Sequence, residues 1–407
     1  MKKRLIFYLL VIILFSSLFS SLVSAYTIHK PILIENIHAA ADKPYIIEGY
    51  EISSDQTNCI EVRNSENVII RNNYLHDCFG EGEEIYDTTK SLAIFADKSS
   101  YLTIEENNLK NNKMGIYLRG APNSKVLNNK VINSQVHHGI TLQESDNSEI
   151  AFNYLKDNGL KEIFDQGPRI IGIFLAYSNN LDVHDNTVIN SSSDGISAVG
   201  YYKPETGHDW TRIIKNVRIY NNQLLYNWEQ GIWALNAENI EIFNNTIKTT
   251  CECQMPGTGI FFEYYVRNSE IYDNIITSCN NPGAATIKFS QNNYFHDNVH
   301  YGDEKTKFVD IGDEKVGYPF NDPTFKDLHT FSSENNLDEN NQFIKKSGKE
   351  EKSGQEESKE TKENVNDDYS DCVSEECNYL PTIIYLILFL ITLVSLIIIL
   401  IKYLRLG

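Results

Sequence analysis

Apolar and polar residues alternate along this chain in short bursts, and the bursts recur. One phrase reads apolar-x-x-Asn-x-apolar and first appears clearly in Val68-Ile69-Ile70-Arg71-Asn72-Asn73-Tyr74-Leu75. Its asparagines align as Asn73, Asn107, Asn129, Asn153, Asn186, Asn222, Asn245, Asn274 and Asn298, at intervals of 22 to 36 residues. A second phrase opens most units: Gly115-Ile116, Gly139-Ile140, Gly172-Ile173, Gly195-Ile196, Gly231-Ile232 and Gly259-Ile260. Alternation with period two puts successive side chains on opposite faces of a strand. Each unit therefore predicts three short strands: one at Gly-Ile, one before the Asn, and one after it, as in Thr246-Ile247-Lys248.

A repeat of about 22–24 residues, lengthened by insertions in some copies, signals a solenoid. Three strands per coil of that length describe an all-β right-handed parallel β-helix of about ten coils. The asparagine has a physical task in such a coil. It is expected to turn the chain in the left-handed backbone region, which Asn tolerates better than most residues. Stacked at a strand spacing of roughly 4.7–4.9 Å, the amides can also donate and accept along a column.

These residues, over roughly Ile46 to His300, resemble the right-handed parallel β-helix repeat family, which includes pectate lyases, polygalacturonases and alginate epimerases. A closer likeness is to a subset containing periplasmic copper-site maturation proteins and many surface proteins. Asp322-Pro323-Thr324-Phe325-Lys326-Asp327 resembles the irregular closing segment that follows the last coil in that family. The resemblance implies the fold; reactions differ among proteins that share it. The paired-aspartate and Gly-His-Gly signatures of polygalacturonases are absent, as is the Asp-Pro-His-Asp of alginate epimerases. The arginine base of pectate lyases has no counterpart beyond Arg119. Copper handling is not expected, because His184-Asp185 and His296-Asp297 lie four coils, roughly 19 Å, apart, too far to share one ion. No metal or cofactor is anticipated.

The ends of the chain have a different composition. Met1-Lys2-Lys3-Arg4, a long apolar run and Val23-Ser24-Ala25 read as a signal peptide over residues 1–25. The β-helix is expected over 26–331, followed by a charged, flexible linker at 332–379. Leu380 to Ile401 carries no charge and is long enough to span a bilayer as a single helix. Lys402 and Arg405 in the tail, 402–407, mark the cytoplasmic side. The expected location is the cell membrane, single-pass, with the β-helix outside. Outside the cell disulfides are permitted. Cys59 and Cys78 form one candidate pair, Cys279 with Cys251 or Cys253 another, and Cys372 and Cys377 can pair locally or between chains. A net charge of −19 argues against nucleic acid as a partner. An acidic polymer is also repelled on average, although a local basic patch can override this. Asn190 and Asn244 fit the glycosylation pattern.

Chemistry is sought on an outward strand face. With the Gly-Ile isoleucines inside, Tyr117, Thr141, Phe174, Ser197, Trp233 and Phe261 form an outward row, and rings on a flat face can stack on sugars. Cross-strand aromatic pairs also stabilise coils without any ligand, so the row has two readings. Arg119, Gln143, Ala176, Val199, Leu235 and Glu263 form a second row. An insertion from Gly200 to Trp210, carrying His208 and Trp210, and another from Asp157 to Arg169 flank this face. The turn before each Gly-Ile strand offers His138, Asp194 and Glu229. Asp194 and Glu229, one coil and roughly 5 Å apart, match the spacing of a retaining glycosidase pair. Asp194 with His138 matches proton abstraction at C5 of a uronic acid. The leading expectation is recognition of a cell-surface or environmental polysaccharide. The alternatives are a lyase, epimerase or hydrolase on the same groove, and a structural surface spacer.

Overall fold

The computed structural model describes residues 26–79, 89–159, 170–200, 212–249, 258–277, 284–287, 290–302, 309–311 and 337–345. The chain divides into compact units at 1–347 and 348–407, and every described residue lies in the first. All regular structure among the described residues is β-strand. Three parallel sheets of 11, 11 and 12 strands wrap one core. The Gly-Ile sheet includes Ile116–Arg119, Ile140–Gln143, Ile173–Ala176, Ile196–Val199 and Ile232–Leu235. A pre-ladder sheet holds the strands before each aligned Asn, such as Leu181–His184 and Ile214–Tyr220. A post-ladder sheet holds those after it, such as Asn108–Lys110 and Thr187–Ile189. Each strand pairs with its counterpart one coil away, so no strand pairs with its sequence neighbour.

The core is the inward half of the alternation. Ile116, Leu118, Ile140, Leu142, Ile173, Leu175, Ile196 and Ile232 from the Gly-Ile sheet meet Val183, Ile219 and Ile242 from the pre-ladder sheet and Leu109, Val131, Val188 and Leu224 from the post-ladder sheet, all buried. Burial of apolar surface contributes about 25 cal/mol per Å² removed from water, and here it accumulates coil by coil.

The ladder asparagines are buried and joined. The backbone N–H and Nδ2 of Asn153 both donate to Oδ1 of Asn186, at 3.0 Å each. Asn186 repeats this toward Asn222, at 3.0 Å each. The left-handed conformation, however, falls one residue earlier. Asn72, Glu106, Phe152, Asp185 and Asn221 have φ between 53° and 59°, whereas the ladder residues do not have positive φ. Turning and bonding are therefore divided between two neighbours. The column also continues beyond Asn298, whose N–H and Nδ2 donate to Asn341 Oδ1 at 2.8 and 2.9 Å. Strands Leu337–Glu339 and Gln342–Lys345 flank Asn341. Coil structure thus enters the stretch read from composition as linker.

The glycine column follows from close approach. A Cβ placed on Gly195 would lie 2.7 Å from the Gly231 carbonyl oxygen, and one on Gly172 would lie 2.7 Å from that of Gly195. Cys59 occupies the equivalent place before Ile60 and is disulfide-bonded to Cys78, with Cα atoms 6.0 Å apart. The other five cysteines, the signal segment, most of the linker and residues 380–401 lie outside the described residues. Among those described, no helix is long and apolar enough to cross a membrane.

Candidate functional site

The outward row has the expected register. Tyr117 pairs with Thr141, Thr141 with Phe174, Phe174 with Ser197, Ser197 with Trp233, and Trp233 with Phe261. It is not an open platform. Phe95, Tyr117, Thr141, Ser197 and Phe261 are buried, and Tyr117 packs with Leu92, Phe95 and Met114 in an apolar cluster outside the main core. Phe174 and Trp233 are half-buried, and they alone in the row present ring surface to solvent among the described residues. Alternation fixes which way a side chain points; it does not say whether the face it reaches is covered.

The second row is polar at both ends and apolar between them. Arg119 pairs with Asp97 at 2.7 Å and lies 5.3 Å over the Phe95 ring. The Tyr117 hydroxyl donates to Gln143 Oε1, and burial raises the Tyr117 pKa. Ala176, Val199 and Leu235 are buried. Beyond them, Trp233 Nε1 donates to Glu263 Oε2 at 2.9 Å, which fixes the indole plane.

Asp194 and Glu229 are buried and hydrogen-bonded. Asp194 is 2 % exposed; its Oδ2 accepts from the Ser197 hydroxyl at 2.8 Å and its Oδ1 from the Gln230 N–H at 3.0 Å. Glu229 is buried and accepts from the Ser193 hydroxyl at 3.1 Å. Each bond ties one coil or turn to the next. A general base must reach its proton directly or through one water, and neither carboxylate is presented to solvent in this way.

His138 differs from them. Its Nδ1 accepts the Ile171 N–H at 3.0 Å, and its ring meets Phe174 with centroids 4.7 Å apart. Desolvation, with His137 adding to it, lowers its pKa to about 3. The residue as a whole is half-buried. With Nδ1 occupied as an acceptor, the neutral ring carries its proton on Nε2. His138 therefore offers a fixed N–H donor and no basic nitrogen. Thr141, in the same coil, is 4 % exposed and its Oγ1 has no hydrogen-bond partner. Ser134 and Ser191 share this feature, and the Thr141 hydroxyl, like the Asp194 and Glu229 carboxylates, is not presented to solvent. The geometry thus brings together a ring and a donor at Phe174 and His138. His208 and Trp210 lie outside the described residues.

A feature that the alternation alone does not reveal lies on the pre-ladder sheet. His184, Tyr220, Phe243, Tyr272 and His296 stack in register, with centroids 4.7 to 5.2 Å apart and planes within 11° of parallel. Each stands two residues before its ladder asparagine, so the sequence did contain the signal. The rings cover one another's faces, leaving edges rather than a stacking surface for a sugar. The end histidines are clamped. His184 lies between Asp185 at 2.7 Å and Glu149 at 3.2 Å, and His296 between Asp297 at 2.8 Å and Glu270 at 2.9 Å. Among the described residues no cluster of such groups is arranged to hold a metal ion.

Burial opposes charging of His296, but its bonds to Asp297 and Glu270 outweigh this and raise its pKa. A raised folded pKa stabilises the fold below the unfolded value of about 6.5. That contribution is lost as pH rises through the higher folded value. A series of melting curves should therefore show the parent losing stability over this window relative to His296→Phe, which keeps the ring and removes the titration. Parallel pH profiles for the two proteins would contradict the clamp.

Residues 35–207 and 201–307 match the model of the right handed beta helix region. The chain belongs to the right-handed β-helix family. Among solved structures it is similar to ORF18 of Geobacillus virus E2, at 13 % identity and a TM-score of 0.52, covering 77 % of this chain and 56 % of the viral protein. It is also similar to the mannuronan C-5 epimerase AlgE4 A-module of Azotobacter vinelandii, at 10 % identity and a TM-score of 0.50, covering 79 % and 89 %. A mutant of the periplasmic alginate epimerase AlgG is similar at 10 % identity and a TM-score of 0.51, covering 78 % of each chain. At these identities the likeness is one of fold. The chain spans little more than half of the viral protein. No curated protein matches the chain in sequence.

Proposed function

We propose that the protein binds a carbohydrate on the outward face of the Gly-Ile sheet, centred on Phe174 and His138, with Trp233 as a second ring two coils away. The supporting observation is the conjunction at Phe174: a half-buried ring beside a histidine locked as an N–H donor. A sugar presents both C–H faces for a ring and hydroxyls for such a donor. Mannuronan and alginate epimerases with the same fold add carbohydrate context to this reading. In this proposal the β-helix is displayed outside the cell and anchored by residues 380–401. Recognition is favoured over turnover because Asp194 and Glu229 are buried in structural hydrogen bonds and His138 has no basic nitrogen to offer.

The test is a glycan panel screened with the full chain, followed by product analysis of every ligand retained. Phe174→Ala and Trp233→Ala should each weaken the retained ligands by about tenfold, the loss of one stacking platform. Retention of all ligands at parental affinity by both variants would remove the site. Cleaved or epimerised products would return the protein to the enzymes.

A further inference from the structure

The solenoid begins on an open end. Strands Thr27–Ile28, Ile32–Glu35 and Tyr45–Glu48 each stand first in their sheet and pair only with the strand one coil further on. The N–H groups of Thr27, His29, Ile32 and Tyr45 donate to carbonyls of that next coil. Successive backbone groups of an extended strand point to opposite sides, so the N–H and C=O of Ile28, Leu33 and Ile46 face away from the solenoid. The side chains at these three positions are aliphatic and exposed, at 83 %, 56 % and 42 %. With Tyr26 and Tyr45 they make five of the nine large apolar side chains exposed among the described residues, so exposed apolar surface is concentrated at this end.

Sheet edges are ordinarily guarded by charges or proline. Here Pro31 and Pro44 stand just before their strands, and Glu35 and Glu48 occupy the last positions. Glu48 is also turned to Arg71 of the next coil, at 2.6 Å. Leu33 and Ile46, in the strand interiors, are left unguarded. The end is firmly backed. The Cys59–Cys78 disulfide closes Ile60–Arg63, Val68–Arg71 and Tyr74–Cys78 into one covalent ring, and the first two of these strands carry Ile32–Glu35 and Tyr45–Glu48.

We propose that this end face joins a second copy of the chain, head to head. A surface that presents three matching edges is the same end of another molecule. A two-fold contact sets the edge strands antiparallel, where residues whose N–H and C=O both face the partner exchange two hydrogen bonds. Ile28, Leu33 and Ile46 hold their groups in that way. The contact uses the same surface on both copies and closes at two, so no filament grows. Residues 26–48 supply 23 residues, and a stable interface takes about 20–30 a side. Lys30 and Lys43 stand against Glu35, Asp42 and Glu48, a balance of −1 in a chain of −19, so two copies meet here with little repulsion. With the leader cleaved after Ala25, the mature chain starts at Tyr26 and has no preceding segment to cover the end. The proposal is independent of the Phe174 site on the Gly-Ile sheet.

The test is sedimentation of the detergent-solubilised full chain, produced with its leader, over a dilution series. The parent should pass from dimer to monomer on dilution. The double variant Leu33→Glu, Ile46→Glu should raise the dissociation constant at least about tenfold, because each carboxylate then meets an apolar edge or its own copy. Its melting temperature at monomer concentrations should match the parent's, since both positions are exposed. Ile275→Glu, at an equally exposed aliphatic far along the solenoid, should dimerise like the parent. A parent that is monomeric throughout, or a dimer that persists in the double variant, would overturn the proposal. A monomer whose N-terminal sequence starts at Met1 would assign the end face to the chain's own Leu5 to Leu22 run and overturn it as well. A complex with a different protein that is lost in the double variant, in place of a dimer, would make the end a docking surface for that protein and overturn it too.

Discussion

Asn186→Ala should lower stability by about 3 kcal/mol or more. The substitution removes the acceptor for both the N–H and Nδ2 of Asn153, and the Nδ2 donor to the carbonyls of Ile150 and His184. It also removes the Nδ2 bond to Asn222 Oδ1. Each buried polar group left without a partner costs about 1–3 kcal/mol. Gln223, one strand position beyond Asn222, is exposed. Gln223→Ala should stay within about 0.5 kcal/mol of the parent. Urea unfolding of the two variants measures the difference, and equal midpoints would contradict the ladder's energetic role.

Gly195→Ala should cost about 3 kcal/mol, near the upper end for overpacking. The added methyl would meet the Gly231 carbonyl oxygen at 2.7 Å, Asn227 Nδ2 at 2.9 Å and Leu224 Cβ at 3.4 Å. The oxygen belongs to a carbonyl that accepts the Ile196 N–H at 3.0 Å. Relief by moving that coil would therefore break a sheet hydrogen bond. Asn227 is no freer, since its Oδ1 accepts the Ser191 N–H at 3.0 Å. A melting temperature equal to the parent's would show that the coils can separate more easily than this packing implies.

The coil architecture was legible because two constraints repeat at every level of the stack. Glycine is required where backbone meets backbone, and asparagine where an amide must bond to the coils on either side. The assignment of the left-handed turn to the ladder asparagine was off by one residue. Pairs such as Asn72-Asn73, Asn221-Asn222 and Asn244-Asn245 place one amide in the turn and the next in the ladder. The sequence offers no means of separating the two tasks when both residues are Asn. The last coil was hidden by its spacing, since Asn341 follows Asn298 after 43 residues.

The site was less legible, for a different reason. Residues Tyr117 to Phe261 do form the row that alternation predicts. Their burial depends on contacts from distant parts of the chain, to which a period-two pattern is blind. His138 and Asp194 occupy equivalent turns, two coils apart, yet their partners give them different roles. Asp194 is locked between Ser197 and Gln230, whereas His138 is fixed by a single backbone N–H and keeps Nε2 for donation. A His-Asp pair reads in sequence as a metal-ligand motif, whereas His184 and His296 stack in a column with Tyr220, Phe243 and Tyr272.

The central claim, a carbohydrate site built on Phe174 with His138 as a neutral donor, is tested most directly by calorimetric titration of a glycan retained in the panel, repeated from pH 5 to pH 8. With the His138 pKa lowered to about 3, the ring is neutral throughout that range, and affinity for an uncharged glycan should be constant. Phe174→Ala and His138→Phe should each reduce affinity, the first by removing the ring and the second by removing the Nε2 donor together with the Nδ1 that holds the Ile171 N–H. An affinity that titrates near pH 6.5 in the parent and becomes flat in His138→Phe, or one unchanged in both variants, would contradict the account.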